Sequence, residues 1–507
     1  MELSSSKVIF FLIFVLTSLL LIGFFLKPHP TVNRPPIADE QWVYTAVNSP
    51  VSINLTGRDP DGDKLSFFIV TQPAHGYLNG TPPTLIYTPH RDYEGQDQFS
   101  FKVSDGEEES EPAVVNIAVS NVFYVDKNNP NATDWGPGSK TQPWRTLSKA
   151  AATLKAGQTV FIRAGKYEEE MAPQNSGEPG KPIIYRSYPG EEVIIGDIDV
   201  EYAVITLAHK SYIIIEGLKV DNVPGWLRAY GSHHIIIRNN TFTRALSKGR
   251  RGGLYFIGCH DIRIVNNIIE DGNDNIMLVL SNRNIIEGNI IRKGRHTLWA
   301  IKGGNFNIIR NNYFYNEIQK IGEVFDCEVP TLDWEGNADF RQKTAVLNST
   351  KHNLIENNIF AYTPPSPKAP YCGIQYIGQN GIIRRNLFYN CTGPGIGLQL
   401  YGTEANYNLG NRIYHNVFFK NHFGGVRLTE STQFVFRDNI FKNNILYRND
   451  FEQHDFRYSK HWYFELNGKP VQVMTGRLDG FFFETVSYTH LRAHETSLHL
   501  VCRLLLE

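Results

Sequence analysis

The stretch GRHTLWAIKGG (294–304) places Arg295, His296 and Lys302 close together in the chain, and an acidic segment follows it. That segment, EIQKIGEVFDCEVPTLDWEGNADFRQK (317–343), carries Glu317, Glu323, Asp326, Glu328, Asp333, Glu335 and Asp339. A basic side chain beside carboxylates suits removal of a proton from a carbon next to a carboxylate. The base takes the proton. A hard cation held by oxygen ligands, Ca2+ by preference, neutralises the carboxylate and makes that proton acidic. In this reading Lys302 is the base, its pKa lowered by Arg295. His296 stands beside it, and Glu323 and Asp326 hold the metal. The same residues allow hydrolysis, with two carboxylates acting as acid and base. They also allow a bland reading, a solvated lysine and a loop that is acidic for solubility.

A second constellation is DPDGD (59–63), in which Asp59, Asp61 and Asp63 alternate around a glycine turn. Three hard oxygen ligands on one loop suit Ca2+. The alternative is a solvated acidic turn that ends a strand.

Composition bounds what these groups can serve. In 507 residues, 50 Lys and Arg nearly balance 51 Asp and Glu, which leaves no electrostatic footprint for nucleic acid. A hydrophobic share of 41% excludes a wholly disordered chain, and five Cys make no disulfide scaffold. The length implies several modules or an elongated repeat.

The elements that must position the site read in order. Residues 1–27 contain an apolar run from Val8 to Leu26, long enough to span a membrane as a signal anchor, with a cleaved signal as the alternative. The bulk of the chain is then expected outside the cytoplasm. A Pro-rich linker (28–36) follows. From 37 to 121, short alternating runs such as VSINLTG, TLIYTP and FSFKVSDG predict a β-sandwich. Trp144 to Lys155 has helical spacing, with Gly157 placed as its C-terminal glycine.

A repeat dominates the span 122–450. One template, an apolar strand followed by Asn and then Ile or Phe, recurs from HIIIRNNTF (234–242) to QFVFRDNIF (433–441). It aligns Asn240, Asn267, Asn289, Asn312, Asn358, Asn386, Asn416 and Asn439. The spacings are those of a solenoid, except for the longer step from Asn312 to Asn358, which signals an insertion. Coils of this size bury their apolar faces only by stacking. An asparagine at each corner can hydrogen-bond turn backbone and the next asparagine, so these residues are expected to form a ladder. A truncated β segment is expected at 451–485. Residues 486–507 resemble the conceptual translation of a sequencing adapter, with Val486–Glu495 and Leu500–Glu507 on either side of a variable index, and are set apart from the fold.

Two family resemblances rest on these motifs. NRPPIA (33–38), DPDGDKLSF (59–67), TQPAHGYL (71–78) and YTPHRDYEGQDQFSFKVSDG (87–106) resemble the bacterial cadherin-like repeats of surface proteins. The stretch from Phe123 and the asparagine repeat resemble the right-handed parallel β-helices of the pectate-lyase-like superfamily. The implied fold class is all-β, a right-handed parallel β-helix behind an N-terminal β-sandwich.

The resemblance implies polysaccharide binding in a lateral groove of outward side chains. Counting from the asparagines points Leu254/Phe256, Ile276/Leu278, Trp299/Ile301 and Val426/Leu428 inward. Tyr255, Met277, Lys302 and Arg427 then point outward. Tyr255, Arg341 and Arg427 are expected to bind substrate, and Arg341 or Arg310 to supply the arginine that such lyases pair with their base. The expected function is β-elimination on a uronate-containing polysaccharide. A non-catalytic glycan-binding or adhesive protein and a glycoside hydrolase are the alternatives.

Overall fold

The computed structural model describes residues 33–245, 252–325, 327–332, 338–348, 350–365, 371–398, 406–422, 425–428, 434–442, 444–447 and 481–484. Among them no helix is long and apolar enough to cross a membrane. The expected anchor at 8–26 and the segment 486–507 lie outside the described residues. The chain divides into two compact units, Met1–Ser120 and Asn121–Glu507.

The first unit is a β-sandwich. Val51–Asn54, Thr84–Pro89 and Gly76–Thr81 form one antiparallel sheet. In the other, Ser66–Thr71 and Gly95–Ser104 pair antiparallel with their neighbours, and Gln41–Ala46 runs parallel to Ala113–Val125. Phe99, Phe101 and Val103 alternate inward along one strand and meet Ile53, Leu85, Tyr87, Val115 and Ile117 in a buried core. The strict alternation is the period-two signature of a sheet with one wet face.

The second unit is a stack of parallel coils. Each coil contributes one strand to each of three parallel sheets, which enclose a continuous apolar core. Side chains repeat from coil to coil along this core. Phe314, Phe360, Phe388 and Phe418 stack with ring centroids 5.0, 4.7 and 4.9 Å apart, the spacing of adjacent strands. The first coils are covered by a helix, Leu147–Thr153, which buries Leu147, Ala150 and Ala151. This helix is shorter than expected. Thr146 caps its N-terminus by accepting from the Lys149 N–H, and Glu169 accepts from the N–H groups of Leu147 and Ser148. The helix is over by Leu154, so Gly157 (φ +80°) serves the turn into the next strand instead of ending the helix.

The asparagine ladder is present, with one correction. Asn240, Asn267, Asn289, Asn312, Asn358, Asn386 and Asn416 are linked in that order, each Nδ2 donating to the next Oδ1 at 3.0–3.1 Å. The next member is Asn444, not Asn439. Asn439 instead accepts from Asn411, in a second ladder that also contains the run Asn284, Asn307 and Asn353. The two ladders stand five residues apart in each coil, as in Asn284/Asn289, Asn307/Asn312 and Asn439/Asn444. Except at Asn240 (Thr-Phe) and Asn411 (Arg-Ile), each of these asparagines is followed by an apolar pair, so the repeat template fits both corners.

Candidate functional site

The third sheet carries the residues singled out above. Its strands are β1 (Ile205–Ala208), β2 (Leu227–Tyr230), β3 (Leu254–Ile257), β4 (Asp274–Val279), β5 (Thr297–Lys302), β6 (Lys320–Phe325), β7 (Ile374–Tyr376), β8 (Ile396–Leu398) and β9 (Val426–Leu428). The inward register holds: Leu254, Phe256, Ile276, Leu278, Trp299, Ile301 and Val426 all join the core. Outward, one column runs Arg228, Tyr255, Met277, Ala300, Glu323 and Gln375 to Gly397, whose backbone partner in the next strand is Arg427. A neighbouring column runs Tyr230, Ile257, Val279, Lys302 and Phe325.

These outward columns are not uniformly polar. Tyr255, Ile257, Met277, Val279 and Ala300 form a separate buried cluster on the outer side of β3, β4 and β5. Tyr255, expected to meet substrate, is 7% exposed and belongs to that cluster.

The polar centre lies at the start of β4, β5 and β6. His296 Nδ1 lies 2.6 Å from Asp274 Oδ1, and its Nε2 lies 3.9 Å from Glu323 Oε1. Lys320 Nζ pairs with the same Glu323 oxygen. Asp274 and Glu323 are both buried, whereas His296 keeps a quarter of its side chain exposed. Two buried polar atoms here have no hydrogen-bond partner, Asp274 Oδ2 and Gln375 Nε2. Such orphans are costly unless a ligand or water meets them.

Glu323 is therefore not a loop residue. The expected insertion at 317–343 begins as an ordinary coil, since β6 pairs with β5 through Ala300↔Glu323 and Lys302↔Phe325. The inserted part is an antiparallel hairpin, Cys327–Leu332 with Ala338–Asn348. The strand was masked in the sequence by Gly322 at an inward position. A methyl group there would overlap the Trp299 indole, so the core needs glycine where the repeat usually has an aliphatic residue.

The three basic candidates separate. Arg295 pairs with Asp271, Nη2 to Oδ1 at 3.2 Å. Lys302 ends β5, half-buried, two strand residues before the hairpin root in the neighbouring coil. Six steps of extended chain at about 3.3 Å put His296 and Lys302 close to ~20 Å apart. Arg295 precedes His296 in the bend before β5, so the same strand stands between it and Lys302. Arg310, the alternative arginine, is held by Glu287 on another sheet. Arg341 lies on the second hairpin strand and Arg427 on β9, at positions whose side chains lie outside the described residues, as does Asp326. Asp274, Lys320 and Gln375 were not singled out from the sequence.

The DPDGD loop is occupied by its own chain. Asp59 Oδ1 accepts from the N–H groups of Asp61 and Asp63 at 2.7 and 3.1 Å. Asp61 receives the Arg34 backbone N–H and guanidinium, with Nε and Nη2 at 2.9 and 2.7 Å from Oδ1. That guanidinium holds the Asp61 carboxyl below its ordinary range. A cation held by Asp61 competes with Arg34, whereas Asp59 Oδ2 is buried with no hydrogen-bond partner; among the described residues Asp59, Asp61 and Asp63 do not converge as a metal-holding group. Cys259, Cys372 and Cys391 are buried free thiols.

Comparison with known proteins bears on the fold. The family described as bacterial Ig domain matches residues 33–118. The Pel9A-like right-handed beta helix region matches 123–267, and the right-handed beta helix region matches 203–337 and 335–450. A curated relative, the uncharacterized protein YwoF of Bacillus subtilis (strain 168), is 34% identical over 126 residues, 22% of this chain. The match spans only 27% of the length of that relative. Among solved structures, a rhamnogalacturonan lyase aligns at 16% identity over 73% of this chain and 90% of its own, with a TM-score of 0.39. The pectate lyase Pel9A aligns at 14% over 64% and 80%, with a TM-score of 0.33. The chain belongs to the right-handed parallel β-helix proteins, with a bacterial Ig domain at its N-terminal end.

Proposed function

We propose that the outer face of the third sheet acts on a uronate-containing polysaccharide by β-elimination, with the chemistry at His296. The observation that carries this reading is the buried outward cluster of Asp274, His296, Lys320 and Glu323, flanked by the partnerless Asp274 Oδ2 and Gln375 Nε2. In the tautomer this step needs, His296 Nδ1 donates to Asp274 Oδ1, and Nε2, 3.9 Å from Glu323 Oε1, carries the lone pair. Nε2 then takes the proton from the carbon beside the uronate carboxylate. Lys320, held by Glu323, supplies fixed positive charge to that carboxylate. Lys302, at the far end of β5, lies too distant to share this step and binds a neighbouring sugar.

Of the two expected Ca2+ ligands, Glu323 is engaged by Lys320, and Asp326 lies outside the described residues. The apolar run at 8–26 supports a location outside the cytoplasm, where such a polymer is met.

A hydrolytic reading has its own support, because Asp274 and Glu323 are two buried carboxylates that face the two ring nitrogens of His296. Incubation of the full chain with pectin, alginate and glycosaminoglycans separates the readings. Ultraviolet absorbance of unsaturated uronate ends supports elimination. New reducing ends without that absorbance mean hydrolysis. Retention on one polymer without any product means a binding module.

A further inference from the structure

At the opposite end of the third-sheet strands, the corner that leads into the first sheet carries a cluster unconnected with His296. His233 and His260 occupy the same position in successive coils, bridged in parallel register, with rings stacked at 4.9 Å and 2°. The next residues, His234 and Asp261, both take a left-handed backbone conformation, φ +53° and +56°. That turn brings their side chains back over the histidine column. His233 Nδ1 lies 2.9 Å from His234 Nδ1, and His260 Nδ1 lies 2.7 Å from Asp261 Oδ2. One ligand atom each from His234, His260 and Asp261 falls within 4.8 Å of the others.

We propose that His234, His260 and Asp261 form a site for a divalent transition-metal ion, with Zn2+ the member it fits best. Two imidazoles and one carboxylate are a borderline donor set, unlike the all-oxygen cages of Ca2+ and Mg2+. Three protein ligands leave a fourth tetrahedral position for water. Binding an ion requires neutral His234 and His260, so it is coupled to release of protons from these rings. Arg283 holds both Asp261 oxygens from the next coil, Nε to Oδ1 at 3.0 Å and Nη2 to Oδ2 at 2.8 Å, and its Nη2 also lies 3.1 Å from His260 Nδ1; it orients the carboxylate, and an ion here shares Asp261 with it and takes its place beside His260. Tyr212 stacks on His234 from the preceding coil at 4.6 Å and fixes that ring. His234 is exposed and His260 half-buried, so an ion can enter from solvent.

The convergence is local. Elsewhere the same two corner columns hold Asn282, Lys351 and Gln379, or Arg283, Phe306, His352 and Asn380, which offer no adjacent His and Asp pair. The site is independent of the polysaccharide reading.

The test is calorimetric titration of the metal-stripped full chain with Zn2+ near neutral pH, repeated with His260→Ala, Asp261→Asn and the corner control His352→Ala. The expected result is one site that is lost, or weakened by about ten-fold or more, in the first two variants and kept in the third. Co2+ bound to the wild type should show visible absorption of tetrahedral type that His260→Ala abolishes. Equal stoichiometry and affinity in wild type and His260→Ala would place any bound zinc elsewhere and overturn the proposal. Absence of wild-type binding at millimolar Zn2+ would overturn it too. Circular dichroism of each variant shows whether it has folded, and Asp261→Asn keeps the side-chain shape should His260→Ala fail to fold.

Discussion

Replacing Asn289 by Ala tests the ladder as the main polar support of the coils. Asn289 is 1% exposed. Its Oδ1 accepts from Asn267 N at 2.9 Å and from Asn267 Nδ2 at 3.0 Å. Its Nδ2 lies within bonding distance of Ile264 O, Glu287 O and Asn312 Oδ1, at 2.8, 3.0 and 3.0 Å. Two amide hydrogens shared among three acceptors count as two bonds, which with the two accepted bonds makes four. At roughly 1 kcal/mol net for each, truncation costs about 4 kcal/mol, and the buried Asn267 N–H left without an acceptor keeps the loss from being smaller. The expected loss is ~3–5 kcal/mol. Asn311 is the comparison, an exposed neighbour whose side chain makes a single long bond to Glu287 at 3.4 Å; its alanine variant loses little side-chain bonding but takes on about 1–2 kcal/mol of strain at φ +57°, and should fall well short of the Asn289→Ala loss. Stacked coils can unfold piecemeal, so urea melts followed by circular dichroism should be paired with hydrogen exchange at 264–312. A loss below about 1 kcal/mol for Asn289→Ala, with exchange unchanged in the adjacent coils, would refute the view that the ladder carries this part of the fold.

On a cleaved polymer, His296→Ala should lower kcat by about 10²-fold or more with little change in KM, as a proton-transfer group does. Lys302→Ala should mainly raise KM; if it instead abolishes turnover while His296→Ala does not, the chemistry belongs at the hairpin end of β5. Millimolar Ca2+ should leave the melting temperature of the wild type nearly unchanged, because Arg34 already fills Asp61, and should raise it in Arg34→Ala; a clear rise in the wild type would show that calcium displaces the arginine. Asp261, with its folded pKa depressed by Arg283, contributes stability that is present above its unfolded pKa of about 3.9 and lost as pH falls toward about 2. Arg283→Ala should therefore flatten the acid limb of stability in that window, as read from thermal melts at stepped pH.

How much was legible follows the range of the interactions involved. The sandwich, the stacked coils and the inward faces of Leu254, Ile276, Trp299 and Val426 repeat a local pattern in every coil, and periodicity alone exposes them. The repeat template predicts the ladder as far as Asn416. It slipped at Asn439 because two corners five residues apart use the same chemistry, and only pairing partners tell them apart. The insertion was seen as a break in the period, but its start was misplaced. Gly322 removes an aliphatic mark from β6, for a reason that lies in the Trp299 ring one coil away.

By itself the sequence determined the repeat, its period, the alternation of faces and the place where the period breaks, since these depend on neighbours along one chain. The tertiary structure alone decided which polar groups meet. Asp274, His296, Lys320 and Glu323 come from three successive coils, and their encounter depends on a register of parallel strands that leaves no mark in any one segment. Nearness in sequence misled in the other direction: Arg295, His296 and Lys302 are neighbours in the chain, yet an extended strand carries Lys302 about 20 Å from the other two, whereas stacking brings residues more than twenty positions apart to within about 5 Å across the sheet.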